Sequence, residues 1–292
     1  MSDNSATVRT LVIPKQGNTD EECEDSYFVI PTGSLEEPCS GPLVAVISDG
    51  ASESMFARTW SGMIAWRAAR GSYHVPDTLT GPGASFRHCI TQLAGRWKNW
   101  VSSYIEQRVS EGRPLQWYEE AKLASGAFAT LLALRLDYGY AMQVHEGEQG
   151  GFWNVAALGD SCVFQVRGHQ VISHFPIKSS ADFGITPSLL GSNANPDLAC
   201  RRTLFYNGTF KDGDEFFLMT DALAAWFLSA VEKFPPSELE GILDQLRAFS
   251  RTGNRSTFAT WLSSLRVAGV LRNDDITFMH ICTSGRSGDG NS

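Results

Sequence analysis

Acidic side chains stand at the ends of the most apolar segments of this chain. Residues 44–47 are apolar, three of the four are β-branched, and they run directly into Ser48, Asp49 and Gly50. Such a segment is typical of a strand that is covered on both faces. A carboxylate at its end is costly to bury unless a cation or a hydrogen-bond donor meets it, and Gly50 lets the backbone come close to a ligand. The pattern predicts an acidic ligand at the mouth of a site, with an ordinary Asp-Gly turn before a helix as the alternative.

Four further strand ends carry acids, and they come from every part of the chain. These acids are Glu24 with Asp25, Asp160, Asp221, and Asp274 with Asp275. Each of them alone fits a solvated turn, where Asp is common. Carboxylates brought together raise one another's pKa unless cations neutralise them, and an all-oxygen set without His or Cys suits Mg²⁺ or Mn²⁺ rather than zinc. If the acids converge, we expect metal-assisted hydrolysis of a phosphoester, because two bridged ions activate a shared water and hold a phosphoryl group.

Periodicity and breakers place these acids between predicted elements. Strands are predicted over residues 7–13, 27–30, 44–47, 127–136, 140–144, 152–158, 162–167, 170–173, 201–205, 215–220 and 276–282. Helices are predicted over 84–109, 117–123, 222–233, 237–250 and 257–267, and over 55–70 with Ser52 or Ser54 as N-cap and Gly71 as C-cap. Segments 31–41, 72–83 and 175–200 are predicted loops, the last long and flexible. No linker interrupts the pattern, so we predict one domain over 1–283 and a disordered tail over 284–292.

Composition and charge narrow the class of protein. The chain has 292 residues, of which 42% are hydrophobic, and no apolar run is long enough for a membrane span. The polar first residues lack the layout of a secretory signal, so we expect a cytoplasmic protein without a membrane partner. Six scattered cysteines form no C-x-x-C pair, which disfavours a zinc site or a disulfide framework. The net charge of −8 without a basic stripe argues against nucleic acid as a partner, and the absence of a Gly-x-Ser-x-Gly motif disfavours a serine hydrolase.

The order of the acidic motifs resembles that of a known family. The chain contains, in this order, the motifs Glu-Asp, Asp-Gly, Gly-Asp-Ser, Thr-Asp-Ala-Leu and Asp-Asp-Ile-Thr. This order resembles that of the metal-dependent type-2C (PPM) serine/threonine protein phosphatases, and the chain looks like a divergent member of the bacterial type. Residues 125–130 also resemble the family's central Gly-Ser-Thr-Ala strand, and the likeness extends over about residues 10–282. The resemblance implies an α+β fold with four layers, α-β-β-α, in which two antiparallel sheets are flanked by helices.

The resemblance also implies an activity and its cofactors. It implies hydrolysis of phosphoserine and phosphothreonine in proteins by a metal-activated water, with two Mg²⁺ or Mn²⁺ ions and a third, weaker one. The expected partners are a phosphorylated protein and a cognate Ser/Thr kinase or its targets. The metal ligands carried over are Asp49, which bridges two ions, the Gly50 carbonyl, Asp221 and Asp274, with Glu24 and Asp25 acting through water and Asp160 at the third ion. Asp49, Asp221 and Asp274 are the catalytic residues on this basis; Asp275 lies next to them, with the alternative that it faces the metal instead of Asp274.

One departure from the family affects substrate binding. The family usually has an arginine four residues before the Glu of Glu-Asp, where it binds the substrate phosphate, but this chain has Asp20 there. Lys15 or Arg58 are the candidates to supply the cation, although each also fits a solvated surface charge. The departure favours, as an alternative function, a module of the same fold that binds a phosphorylated partner without turnover. A third hypothesis is hydrolysis of a small phosphorylated metabolite.

Overall fold

Two antiparallel sheets form the centre of the molecule. The computed structural model describes residues 5–32, 37, 39–138, 150–184 and 187–284. The first sheet has the order β3-β1-β13-β12-β8-β9, with β1 (Ser5–Ile13), β3 (Cys39–Ser40), β8 (Cys162–Arg167), β9 (Gln170–Phe175), β12 (Glu215–Met219) and β13 (Ile276–Ser284). The second has the order β11-β7-β6-β4-β2, with β2 (Ser26–Ile30), β4 (Leu43–Ser48), β6 (Leu131–Tyr138), β7 (Gly150–Leu158) and β11 (Leu204–Lys211). A separate short pair joins β5 (Phe128–Ala129) to β10 (Leu190–Gly191).

Helices cover the outer face of each sheet. They are α1 (Ala57–His74), α2 (Ala84–Ser110), α3 (Trp117–Ser125), α4 (Pro196–Arg202), α5 (Asp221–Lys233), α6 (Pro236–Thr252) and α7 (Arg255–Val267). One apolar core joins α1 and α2 to the second sheet, another joins α5, α6 and α7 to the first sheet, and a third fills the space between the sheets. This confirms the predicted four-layer α-β-β-α architecture. Among the described residues, no helix combines the length and the apolar character that a bilayer span requires.

Strand β4 shows why the apolar segment before Asp49 has no polar position. Val44 and Val46 pack toward α1 and α2, whereas Ala45 and Ile47 pack against the other sheet. All four are at most 1% exposed. A strand in the inner layers of a four-layer sandwich has no solvent face, so alternation of polar and apolar residues is lost.

Helix α1 differs from its predicted bounds at both ends. It begins at Ala57, and its N-cap is Phe56 with a φ of 64°, not Ser52 or Ser54. The Phe56 ring lies 4.9 Å from the ring of Trp100 and 4.8 Å from that of Tyr104, and these contacts hold the left-handed backbone. The helix also continues through Gly71 to His74, so Gly71 is not the C-cap. A Cβ at Gly71 would lie 3.1 Å from Cys89 Sγ, so the glycine serves the close contact between α1 and α2.

The predicted long loop over 175–200 is wrong over part of its length. This segment contains a 3₁₀ turn at Ser180–Asp182, strand β10 and most of α4. Asn195 caps α4 by accepting a hydrogen bond from the Asp197 backbone at 2.8 Å, and proline follows it at the first helical position. Because α4 continues to Arg202, the strand predicted over 201–205 begins only at Leu204.

Other differences from the predicted elements are smaller. The predicted loops contain β3, in 31–41, and a 3₁₀ turn at Pro76–Leu79, in 72–83. The strand predicted over 127–136 is divided at Thr130 into β5 and β6. Ser284 pairs with Ser5 in the first sheet, so the predicted disordered tail does not begin there. The strand predicted over 140–144 and the tail over 285–292 lie outside the described residues.

Candidate active site

Asp49 lies at the end of β4, and its backbone is fixed by the neighbouring strand. Its N–H donates to Thr130 Oγ1 at 2.9 Å, and its carbonyl accepts from the Thr130 N–H at 2.8 Å. The hydroxyl of Ser48 donates to the Thr130 carbonyl at 2.6 Å. This reciprocal pairing explains why Thr130 interrupts the strand that precedes β6. The backbone of Asp49, a half-buried residue, is thereby fixed on both sides.

Gly50 allows the Glu24 backbone to approach Asp49. A Cβ at Gly50 would lie 2.8 Å from the Glu24 carbonyl oxygen and 3.0 Å from the Ala57 carbonyl carbon. Any side chain here would push the two segments apart. The Glu24 carbonyl also accepts from Ser61 Oγ at 2.7 Å, which fastens the Glu-Asp motif to α1. The small residue after Asp49 is therefore a packing requirement.

Asp25 joins three strand ends at one edge of the sandwich. Its Oδ2 accepts from Thr220 Oγ1 at 3.1 Å, beside the end of β12, and from Thr277 Oγ1 at 2.8 Å, in β13. Its Oδ1 is buried and has no hydrogen-bond partner among the described residues. A buried carboxylate oxygen without a partner is costly, and a bound cation would satisfy it.

The aspartates from distant parts of the sequence converge electrostatically. Burial raises the pKa of Asp49 well above its usual range, and the carboxylates of Asp25, Asp221, Asp274 and Asp160 raise it further. Burial also raises the pKa of Asp25 to about 8, against the lowering effect of the hydrogen bond from Thr277. For Asp160, burial and the Asp221 carboxylate together raise the pKa to about 6. The five acids therefore lie near enough to one another for their charges to interact, and their role as one site stays a prediction.

Asp221 is the first residue of α5, and its two oxygens have different surroundings. Oδ2 accepts from the guanidinium of Arg272, whereas Oδ1 is buried and has no partner in the described part of the chain. Burial raises the pKa of Asp221 in spite of the ion pair with Arg272. The unpartnered oxygens of Asp25 and Asp221 thus belong to two of the converging acids.

Asp274 and Asp275 are adjacent but differ in what their carboxylates bind. Asp275 accepts from the backbone N–H of Lys15 at 2.7 Å and from that of Glu24 at 2.8 Å, so both of its oxygens hold the backbone. Among the described residues, the Asp274 carboxylate accepts one hydrogen bond, from the Asp275 N–H at 3.0 Å, and its charge contributes to the raised pKa values of Asp49 and Asp221. These bonds leave the Asp274 carboxylate, rather than that of Asp275, able to bind a cation together with the other acids.

The remaining predicted residues, Glu24, Lys15 and Arg58, contact the segments around residues 20–24 and 52. The Glu24 carboxylate accepts from Ser52 Oγ and lies 3.8 Å from Lys15 Nζ, which itself donates to Ser52 at 3.0 Å. Arg58 donates to the carbonyl of Asp20 at 2.5 Å and is exposed. Lys15 is therefore close to the Asp49 loop, whereas Arg58 is engaged with the residue that stands in place of the family's arginine.

Arg255 on α7 was not among the predicted site residues, yet its guanidinium pairs with the Asp20 carboxylate. Thr220, Thr277, Thr130 and Arg272 were also missed. Each has a sequence signal: Thr220 precedes Asp221, Thr277 ends the Asp-Asp-Ile-Thr motif, Thr130 ends the segment 125–130, and Arg272 lies two residues before Asp274.

The residues present fit divalent cations of the hard type. The proposed ligands are carboxylates and one carbonyl, and two buried carboxylate oxygens have no partner among the described residues. Burial together with neighbouring acids also raises several pKa values. Among the described residues, no three of these acids bring ligand atoms within 4.8 Å of one another. Mutually repelling carboxylates stay apart without a cation, and ligands to two ions spread over a wider space than ligands to one.

Two other groups of ligand atoms do lie within 4.8 Å in the described part of the chain, one of them Glu215 with His280 and Cys282. There Glu215 is already paired with Arg247 at 2.9 Å and lies 3.4 Å from His280. The other group, His169 with Glu240 and Asp244, is exposed. Neither contains a predicted site residue.

Comparison with known proteins gives matches of structure but not of sequence. No protein-family model matches the chain, and no curated protein matches its sequence significantly. The photosystem II phosphatase PBCP is 13% identical, with 95% of this chain and 98% of that one covered at a TM-score of 0.50. A bacterial serine phosphatase carrying a point substitution is also 13% identical, with 96% and 98% covered at a TM-score of 0.50.

A third solved structure aligns over the whole chain. It is the phosphatase domain of SpoIIE from Bacillus subtilis, which is 14% identical, with 100% of this chain and 98% of that one covered at a TM-score of 0.47. At such identities the likeness concerns the fold. The two phosphatase structures that align at a TM-score of 0.50 show which fold the chain shares, and its two antiparallel sheets flanked by helices are the fold that the resemblance to the type-2C (PPM) protein phosphatases implies.

Proposed function

We propose that this protein is a metal-dependent phosphoprotein phosphatase that hydrolyses phosphoserine and phosphothreonine. The observation that carries the proposal is the electrostatic convergence of Asp25, Asp49, Asp160, Asp221 and Asp274, which come from five separate strand ends. Two of these acids keep a buried oxygen without a partner among the described residues. A fold that buries so much uncompensated negative charge is destabilised unless cations bind there.

The proposed cofactor is Mg²⁺ or Mn²⁺, with two ions and a third, weaker one. Asp49 and the Gly50 carbonyl, with Asp221 and Asp274, would hold the pair, Asp160 would serve the third ion, and Glu24 and Asp25 would act through water. Bound in this way, the ions lower the pKa of a water and neutralise the phosphoryl group.

The chain's own residues would keep the acids in position during hydrolysis. Thr130 fixes the backbone of Asp49 on both sides, and the hydroxyls of Thr220 and Thr277 orient the Asp25 carboxylate. Lys15, which lies beside the Asp49 loop, would add positive charge at the pocket edge. The contact of Arg58 with the Asp20 carbonyl does not favour its predicted role in phosphate binding.

The direct test is turnover by the purified protein with Mn²⁺. We expect hydrolysis of p-nitrophenyl phosphate and of phosphothreonine peptides, and Asp49→Asn should abolish both along with Mn²⁺ binding. Loss of a residue that merely supports a metal ligand costs about 10–100-fold in activity or metal affinity, so loss of the bridging ligand should cost more. Asp212→Asn, at an exposed turn, is the matched control. Absence of turnover with every substrate would refute the proposal. Faster turnover of free phosphometabolites than of peptides would mean that small phosphorylated metabolites, and not phosphoproteins, are the substrates.

A binding module without turnover is the second candidate. It is favoured by the ion pair between Arg272 and Asp221, which engages one predicted ligand, and by Asp20 at the position of the family's arginine. Such a module should bind a phosphothreonine peptide in calorimetry with no release of phosphate in the presence of Mn²⁺. A measurable rate of release would exclude it.

We further propose that residues 1–283 form one domain and that the protein acts in the cytoplasm. There it would reverse phosphorylation by a Ser/Thr kinase. The three shared cores, which link elements from both ends of the described chain, support the single domain. Limited proteolysis that yields two stable fragments would contradict this assignment.

A further inference from the structure

The guanidinium of Arg272 lies among the carboxylates of the candidate site. It donates to Asp221 Oδ2, and the charges of Asp274 and Asp160 attract it as well. The Arg272 side chain is 52% exposed, whereas that of Asp221 is 13% exposed. Arg272 therefore reaches from the solvent side onto a largely buried carboxylate, and part of its guanidinium stays between the solvent and the acids.

The neighbouring cations are engaged differently. Lys15 pairs with Glu24. Arg58 contacts the carbonyl of Asp20, and Arg255 pairs with the carboxylate of Asp20. Within the part of the chain that the structure describes, only Arg272 forms a salt bridge with one of the converging aspartates, Asp221. It is thus the basic side chain that is paired directly with a proposed metal ligand, Asp221.

The loop that carries Arg272 is held on both sides of it. Leu271 is 5% exposed, and the side-chain oxygen of Asn273 accepts from the Gln16 N–H at 2.7 Å. The Asp274 carbonyl accepts from Arg266 at 2.7 Å. A change of partner by Arg272 therefore requires rotation of its side chain but no movement of the backbone.

We propose that Arg272 binds the phosphate of the substrate, and that Asp221 holds it until a divalent cation binds. The inference rests on the proposed function. Arg272 occupies Oδ2 of Asp221, while the buried Oδ1 has no partner among the described residues. A cation at Oδ1 repels the guanidinium and weakens the ion pair, so N–H donors become available. A guanidinium binds phosphate through two parallel N–H···O bonds, which suits it to the incoming phosphoester.

Two measurable consequences follow from this exchange. Removal of the competing charge in Arg272→Gln should tighten Mn²⁺ binding by about tenfold or more, because two cations a few ångströms apart repel strongly near a protein surface. The same variant should weaken inhibition by inorganic phosphate by about 10–100-fold, as expected for loss of hydrogen bonds between charged groups. KM for a phosphothreonine peptide should rise with it, and kcat should change less.

The experiment uses the full chain, with calorimetry for Mn²⁺ and phosphate inhibition assays at saturating Mn²⁺. Arg272→Lys keeps the charge but not the paired donors, so its Mn²⁺ affinity should stay near that of the wild type and its phosphate affinity should be intermediate. Arg87→Gln, on α2, is the control, since it breaks an exposed pair with Asp197 on α4.

The outcomes separate this inference from the proposed function. A wild type that binds Mn²⁺ and hydrolyses phosphopeptides, with Arg272→Gln unchanged in Mn²⁺ and phosphate affinity, overturns this inference alone. Weaker Mn²⁺ binding by Arg272→Gln overturns it as well, because the guanidinium would then support the ion. A wild type that neither binds Mn²⁺ nor hydrolyses any phosphoester overturns the proposed function and this inference together.

Discussion

Asp25→Asn should stabilise the metal-free protein at pH 8. The carboxyl is buried, Oδ1 has no partner among the described residues, and its pKa is raised from an ordinary value near 3.8 to about 8. A carboxyl whose pKa is higher in the folded state contributes stability below its unfolded pKa and loses it as pH rises through its folded pKa. The wild type without metal should therefore lose stability between about pH 4 and pH 8.

The size of the effect follows from the pKa difference. One unit corresponds to ~1.4 kcal/mol, so a shift of this size is on the order of 5 kcal/mol when the group is fully ionised. Local relaxation and entry of water reduce this figure, and we expect Asp25→Asn to gain ~2 kcal/mol or more in free energy of unfolding at pH 8. The amide oxygen still accepts from Thr220 and Thr277, so the hydrogen bonds to these threonines are retained.

The assay is urea denaturation in a chelator at pH 5 and pH 8, followed by the same series with Mn²⁺. The order of stability should reverse with metal, because an ion at 100 times its Kd adds ~2.7 kcal/mol to the wild type and less to a variant with a weakened site. Asp212→Asn, at an exposed position, should shift neither curve. A variant that is less stable than the wild type at pH 8 in chelator would refute the account of Asp25 as an uncompensated buried charge.

Three further predictions follow, two for the site and one for the fold, where the buried Arg135 of β6 donates to the carbonyl of Ser72 on α1. Gly50→Ala should destabilise the fold by ~1–3 kcal/mol in urea denaturation, because its Cβ would lie 2.8 Å from the Glu24 carbonyl; an unchanged midpoint would contradict this. Thr277→Val should raise the pKa of Asp25, since it removes a hydrogen bond that lowers it, and should shift the pH midpoint of Mn²⁺ binding upward in calorimetry, whereas a downward shift would count against it. Arg135→Ala should cost ~3–5 kcal/mol in free energy of unfolding by leaving buried partners unpaired, and a loss below 1 kcal/mol would contradict it.

Much of the architecture was predictable from the sequence because the strands are long apolar runs that end in acids. The bounds of β8 and the start of α2 agree with the predictions, since the hydrophobic pattern of each element is bounded there by turn-forming residues such as glycine. Helix α4 was missed because only Asn195 and the proline after it signal a helix in a segment rich in turn residues. The start of α1 was missed because Phe56 is held by aromatic rings on α2, which lie far away in sequence.

The sequence could propose the acids of the candidate site but not the residues that contact them. Asp49, Asp221 and Asp274 follow or precede apolar strands, which local spacing reveals. The hydroxyls of Thr220 and Thr277 reach Asp25 only because β12 pairs with β13 in one register, which no local pattern encodes. The contact of Arg272 with Asp221 likewise joins residues 51 positions apart.

The most direct test of the central claim is anomalous diffraction from crystals soaked in Mn²⁺. We expect at least two peaks among the acids, with Asp49 between them and Asp221 and Asp274 as ligands of one. Crystals that show no peak in this pocket, or a peak only beside Glu215, His280 and Cys282, would contradict it.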